Sequence, residues 1–159
     1  MKPRQIVALL ALIGLFVALY LTLYKIGVIG TLTCSIGSCE TVNTSRYSVL
    51  LGVPVAMWGL ALYVVLLVTA LVGSGSAAER SSAASWLLTL LSGWGVLFSG
   101  WLTYLELFRI HAICIWCVTS ATILVLIFVT SLVDLRQHMQ RVRVGPIVRD
   151  RSEWPARRR

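Results

Sequence analysis

Charge is what this chain has least of. Of its 159 residues only 13% are Asp, Glu, Lys or Arg, whereas 58% are hydrophobic. A soluble domain of this length cannot clothe its surface with so few charges, so an integral membrane protein is indicated. Polar stretches are also short, which leaves no room for an extramembrane domain. The basic start, Lys2 and Arg4, precedes an apolar run too long for a secretory signal core, and no small-x-small cleavage site follows it. Cysteine is scarce as well. There are four, in two close pairs: Cys34/Cys39 (CSIGSC) and Cys114/Cys117 (CIWC).

Four segments have the roughly 20 apolar residues that a spanning helix needs: Gln5–Tyr24, Val53–Val72, Trp86–Phe108 and Ile115–Val133. The expected fold is therefore an all-α, four-transmembrane-helix bundle. Residues 1–135 form the membrane domain and 136–159 a basic cytoplasmic tail. With four spans, the N-terminus, the second connection and the tail share a side. That side holds Lys2, Arg4, Arg80 and eight tail arginines, against Lys25, Arg46 and Arg109 opposite. By the positive-inside rule the arginine-rich side is cytoplasmic. Both cysteine pairs then face the exoplasmic side, where disulfides persist. The net charge of +8 resides mostly in the tail. Topology and attraction to anionic lipid account for it without a nucleic-acid partner.

Several local expectations follow. Gly, Ser and Thr make residues 30–39 an irregular loop, with Gly37 letting the chain fold back between Cys34 and Cys39. Glu40 to Leu51 reads as a short surface helix. Pro54 belongs in the first turn of the second span. Gly95 and Ser99 permit close helix contact. Trp86 and Trp116 suit the membrane interfaces, while Trp94 and Trp101 pack inside or line a pocket. Asp134 ends the fourth span, and the tail beyond it is disordered or lipid-bound.

Two dithiols on one side of a membrane suggest a relay in which one pair passes its disulfide to the other. Cys114 and Cys117 begin a helix, where free N–H groups and partial positive charge favour a thiolate. Cys117 lies about one turn deeper. Glu40 beside Cys39 makes that sulfur a poorer resting nucleophile. Two alternatives are a non-catalytic membrane scaffold stapled by structural disulfides and a four-thiolate zinc site. The oxidising side disfavours the metal. His111, three residues before Cys114, reads as a solvated interfacial histidine in preference to a proton donor. Glu106 and Arg109 read as an i,i+3 ion pair in preference to a proton path.

The run Cys39-Glu40-Thr41-Val42-Asn43-Thr44-Ser45-Arg46-Tyr47-Ser48, then Gly52-Val53-Pro54 and Gly59, together with CIWC at the fourth span, resembles the vitamin K epoxide reductase (VKOR) family, especially its bacterial members. The resemblance covers about residues 5–133. It implies a bundle with a quinone pocket at the exoplasmic end, capped by the loop and short helix, in a bacterial inner membrane. It also implies oxidoreductase chemistry supporting disulfide bond formation. Cys34 would take electrons from a thioredoxin-fold, DsbA-like protein through a mixed disulfide. Cys39 would exchange with Cys114, and Cys117 would face the quinone, menaquinone or ubiquinone. Ser45 would lie near the quinone head, with Trp116 and Trp101 as wall candidates. Arg46 and Tyr47 would hold the loop over the pocket. Many bacterial members carry a fused thioredoxin-like domain. Its absence from this sequence makes a separate thiol partner the expectation. Ala121 stands where vertebrate members have tyrosine, which favours quinone reduction over epoxide chemistry.

Overall fold

The computed structural model describes residues 3–32, 34, 38–75 and 82–153, with side chains through Gln140. The Gly37 turn, Arg80 and the last tail arginines lie outside the described residues. Among the described residues, four helices are long and apolar enough to cross a membrane: α1 (Pro3–Lys25), α3 (Val55–Gly73), α4 (Ala83–Leu105, continued by a π turn, Glu106–Ile110) and α5 (Ile115–Glu153), whose spanning part is Ile115–Gln140. A short helix α2 (Cys39–Thr44), a 3-10 turn (Arg46–Ser48) and a two-stranded hairpin, β1 (Val49–Leu50) and β2 (Val53–Pro54), join α1 to α3. The chain is a multi-pass membrane bundle.

The packing explains why an apolar sequence still folds to one arrangement. Lipid-facing positions such as Phe16, Val68, Leu90, Leu97 and Val129 are exposed, so lipid covers them. The interior is selected by shape. Val7, Ala11, Ala18, Tyr63, Leu66, Ala70, Leu88 and Ile127 interlock along the bundle axis. α1 packs on α3 and α5, and α4 packs on α3 and α5. Small residues set the close approaches. A methyl group on Gly14 would overlap the Tyr63 ring, and one on Gly95 would lie 2.8 Å from Leu62 of α3. The buried Tyr63 hydroxyl meets the Ser120 carbonyl and hydroxyl at 2.9 Å each, so this hydroxyl is not stranded in the apolar layer.

At the end of the bundle where α1 begins, the spanning helices are tied by one buried cation. Arg4 Nε donates to Asp134 at 3.0 Å, its Nη2 to Ser85 Oγ at 2.9 Å, and its Nη1 to the Gly73 carbonyl. Ser85 donates to the same Asp134 oxygen at 2.6 Å. One guanidinium thus joins all four spanning helices.

Three expectations need correction. The segment after Cys39 is not one helix to Leu51. Ser45 turns extended (φ −62°, ψ 156°), and Leu51 and Gly52 both take positive φ (55° and 80°). Positive φ at both central residues is what a tight two-residue hairpin turn requires, and it pairs Leu50 with Val53 and Val49 with Pro54. Pro54 accordingly precedes α3 as the last strand residue, where its missing N–H costs the helix nothing. Asp134 does not end the last helix, which runs on to Glu153. Good helix formers (Leu135, Arg136, Gln137, Met139, Gln140) carry it on beyond Asp134.

Candidate active site

Both cysteine pairs lie at the end of the bundle opposite Arg4. Cys34 and Cys39 form a disulfide with their Cα atoms 6.3 Å apart, and Cys114 and Cys117 are free thiols. Cys39 and Cys114 are 1% and 0% exposed and share one apolar cluster with Val42, with Cys34, Trp116 and Cys117 packed against it. The Ser38 N–H donates to the Ile113 carbonyl at 3.0 Å, which stitches the residue before Cys39 to the residue before Cys114.

Local backbone chemistry sets the α5 thiols. The Cys114 carbonyl accepts the Val118 N–H at 3.0 Å, and its Sγ accepts the Cys117 N–H at 3.4 Å. Cys114 is therefore the N-cap residue, with sulfur in the place of a capping oxygen. The Cys117 S–H, helped by the Cys117 and Trp116 N–H groups, holds the Cys114 thiol below the ordinary thiol range, against burial and the neighbouring Glu106 charge.

Glu106 is the group that the sequence reading misplaced. Arg109 is exposed and Glu106 is 5% exposed, and among the described residues no ion pair joins them. The wider π turn moves residues three apart onto different faces. Glu106 turns inward instead. Its Oε2 accepts the Cys114 N–H at 3.2 Å, and its carboxylate is hydrogen-bonded to the Cys117 side chain. The π turn closes with His111 left-handed (φ 55°, ψ 33°) and exposed, in keeping with a solvated histidine.

Below the cysteines opens a cavity. Its walls are largely apolar, from Leu21 of α1, Val55 and Trp58 of α3, and Trp94 and Phe98 of α4, with Tyr63 as floor. Cys117 lines it, and so do Glu106, Lys25, Asn43 and Ser45. Of the expected quinone contacts, Cys117 and Ser45 reach this cavity. Trp116 lies outside its wall and packs on Tyr20, ring centroids 5.1 Å apart. Trp101 is also outside the wall and half exposed. Ser45 donates its O–H to the Val42 carbonyl at 2.7 Å, leaving its oxygen free to accept from the cavity. Tyr47 lines the rim, and Arg46 lies 5.9 Å over its ring. Sequence reasoning missed Lys25, whose Nζ donates to the Asn43 carbonyl at 2.5 Å and to Ser48 Oγ at 2.7 Å. A lone cation ending an apolar span looks like an ordinary helix stop, so no signal marked it.

A search of curated proteins finds no match to the chain. The sequence matches the family described as Vitamin K epoxide reductase family over residues 5–132, which takes in all four spans, both cysteine pairs and the cap. The family is one of membrane thiol oxidoreductases that use quinones, and a dithiol above a largely apolar cavity fits that chemistry. By the extent of this match, the chain belongs to the vitamin K epoxide reductase family.

Proposed function

We propose that the protein oxidises a reduced thioredoxin-fold, DsbA-like dithiol on the exoplasmic side and passes the electrons to a membrane quinone, so sustaining disulfide formation in exported proteins. The observation that carries the reading is the joint burial of Cys39 and Cys114 in one cluster whose deeper neighbour, Cys117, lines an apolar cavity.

The steps follow from sulfur chemistry. A partner thiolate attacks Cys34, forming a mixed disulfide and releasing Cys39. The partner's second thiol resolves it, leaving the partner oxidised and Cys34/Cys39 reduced. Cys39 then attacks Cys114 of the oxidised inner pair, and Cys34 closes on Cys39, leaving Cys114 and Cys117 as thiols. The pairing of a Cys34–Cys39 disulfide with free Cys114 and Cys117 corresponds to that stage. The cavity suits a quinone ring. Its walls are largely apolar with a few polar groups among them, as small-molecule sites usually are. A quinone supplies a sink for two electrons and two protons. Cys117 delivers the electrons at the wall, while Lys25, Asn43 and Ser45 orient the head. Lys and Arg asymmetry supports an orientation with both termini in the cytoplasm of a bacterial inner membrane.

Purified protein mixed with a reduced thioredoxin-fold oxidase and menaquinone or ubiquinone tests this directly. Quinol should form with turnover, and Cys→Ala at position 34, 39, 114 or 117 should abolish it. A native protein that forms no quinol, and in which Cys117→Ala only lowers thermal stability, would instead be a disulfide-stapled scaffold.

A further inference from the structure

A buried carboxylate beside one buried and one half-buried thiol needs a reason. Glu106 is 5% exposed at the mouth of an apolar bundle, unpaired with Arg109, and spends its oxygens on the Cys114 N–H and the Cys117 side chain. An uncompensated charge there is costly, and such groups in membrane helices are retained where protons move. The carboxylate also lines the cavity that Cys117 lines. It therefore touches both the sulfur that gives up electrons and the space that receives them.

We propose that Glu106 is the acid–base group of the inner dithiol, taking one thiol proton of the Cys114/Cys117 pair and returning it to an oxygen of the quinone. This deepens the quinone reading above and rests on it. A newly reduced inner pair carries two S–H groups beside Glu106 as carboxylate, before the site settles into its reduced resting state. The Cys114 proton passes to Glu106 through Cys117, which is hydrogen-bonded to both. Cys117 then keeps its own proton, shared with the Cys114 thiolate. When the Cys114–Cys117 bond forms, two electrons leave the sulfurs for the quinone, and the Cys117 and Glu106 protons go to its two oxygens. Glu106 ends as a carboxylate, as it began.

The low range of the Cys114 thiol supports this order, since Cys114 is the sulfur that gives up a proton first. The other titratable groups near Glu106 are Lys25 of α1, Tyr47 of the cap and Tyr63 of α3, which line the cavity, and Arg109 and His111, which follow on its own turn. None is placed between the thiols and Glu106.

The test needs no quinone in its first arm. Infrared difference spectra are recorded as the inner pair is cycled with a small dithiol and a small disulfide. Reduced native protein should show a protonated carboxylic acid band that disappears on oxidation, and Glu106→Gln should lack it. In the second arm, Glu106→Gln should lower kcat for quinol formation by about 10²–10⁴-fold, with KM for quinone little changed. Glu106→Asp should keep much of the rate and shift its pH profile. Glutamine retains the oxygen that accepts the Cys114 N–H, so a merely structural Glu106 predicts near-native kcat in that variant. An infrared spectrum without a redox-linked carboxylic acid, or near-native kcat in Glu106→Gln, overturns the proposal. A native protein that shows the band yet reduces no quinone overturns the quinone reading instead, which keeps the two failures apart.

Discussion

The Ser38 N–H and the Ile113 carbonyl lie 3.0 Å apart in a hydrogen bond that joins the loop of the outer cysteine pair to the turn before the inner one. Each is the residue before a buried cysteine. Exchange between Cys39 and Cys114 therefore needs no long swing of the loop. In protein carrying both Cys34→Ser and Cys117→Ser, mild oxidation should link Cys39 to Cys114 within one chain. Peptide mapping by mass spectrometry reads this. Two free thiols after oxidation would refute the adjacency.

The Cys114 thiol should ionise below the usual thiol range because the Cys117 S–H donates to it. Cys117→Ala removes that donor and should move the Cys114 ionisation to higher pH. Cys117→Ser, which keeps an O–H donor, should move it less. Thiolate absorbance against pH distinguishes the three. The sign for stability follows from the lowered value. The contribution of Cys114 in the reduced protein is fully present above its unfolded pKa and is lost as pH falls through its lower folded pKa. Cys117→Ala should flatten that dependence.

Arg4 and Asp134 form a buried ion pair, their side chains 8% and 14% exposed. Removing one partner strands the other charge among four helices. Arg4→Ala or Asp134→Ala should each cost about 3–5 kcal/mol of stability, whereas Arg4→Met with Asp134→Leu should cost much less. Thermal unfolding in detergent checks this. Equal losses in the single and double variants would show that the pair itself is not what matters.

Lys25 holds the cap through the Asn43 carbonyl and the Ser48 hydroxyl. Charged hydrogen bonds of this kind contribute roughly 1.5–3 kcal/mol each. Lys25→Met keeps the apolar stem and loses both. Amide hydrogen exchange over residues 39–48 should rise, and KM for quinone should increase. Unchanged exchange there would mean that the cap is held by its own packing.

Much of this was legible beforehand because it depends on composition and spacing. The four spans appear as apolar runs of spanning length. CIWC at the head of the last run places two sulfurs where helix N–H groups converge. The Cys39-to-Ser48 run was long enough to resemble one family, and the family match over residues 5–132 agrees. The misread parts turned on local backbone geometry. The Leu51-Gly52 turn needed two positive φ values, one at leucine, where composition gives no warning. The continuation of α5 past Asp134 reflects propensities that hydropathy does not register.

By itself, the sequence determined that this chain lies in a membrane, that it crosses four times, and that its four cysteines gather at one end. Those outcomes follow from hydrophobicity and charge, which each residue carries regardless of its neighbours. Tertiary structure alone decided that Glu106 faces the thiols instead of Arg109, that Trp116 lies outside the cavity, and that Lys25 ties down the cap. Each of these depends on which way a side chain points after helices pack and a π turn shifts the register, and a direction in space is not a property of any residue taken singly.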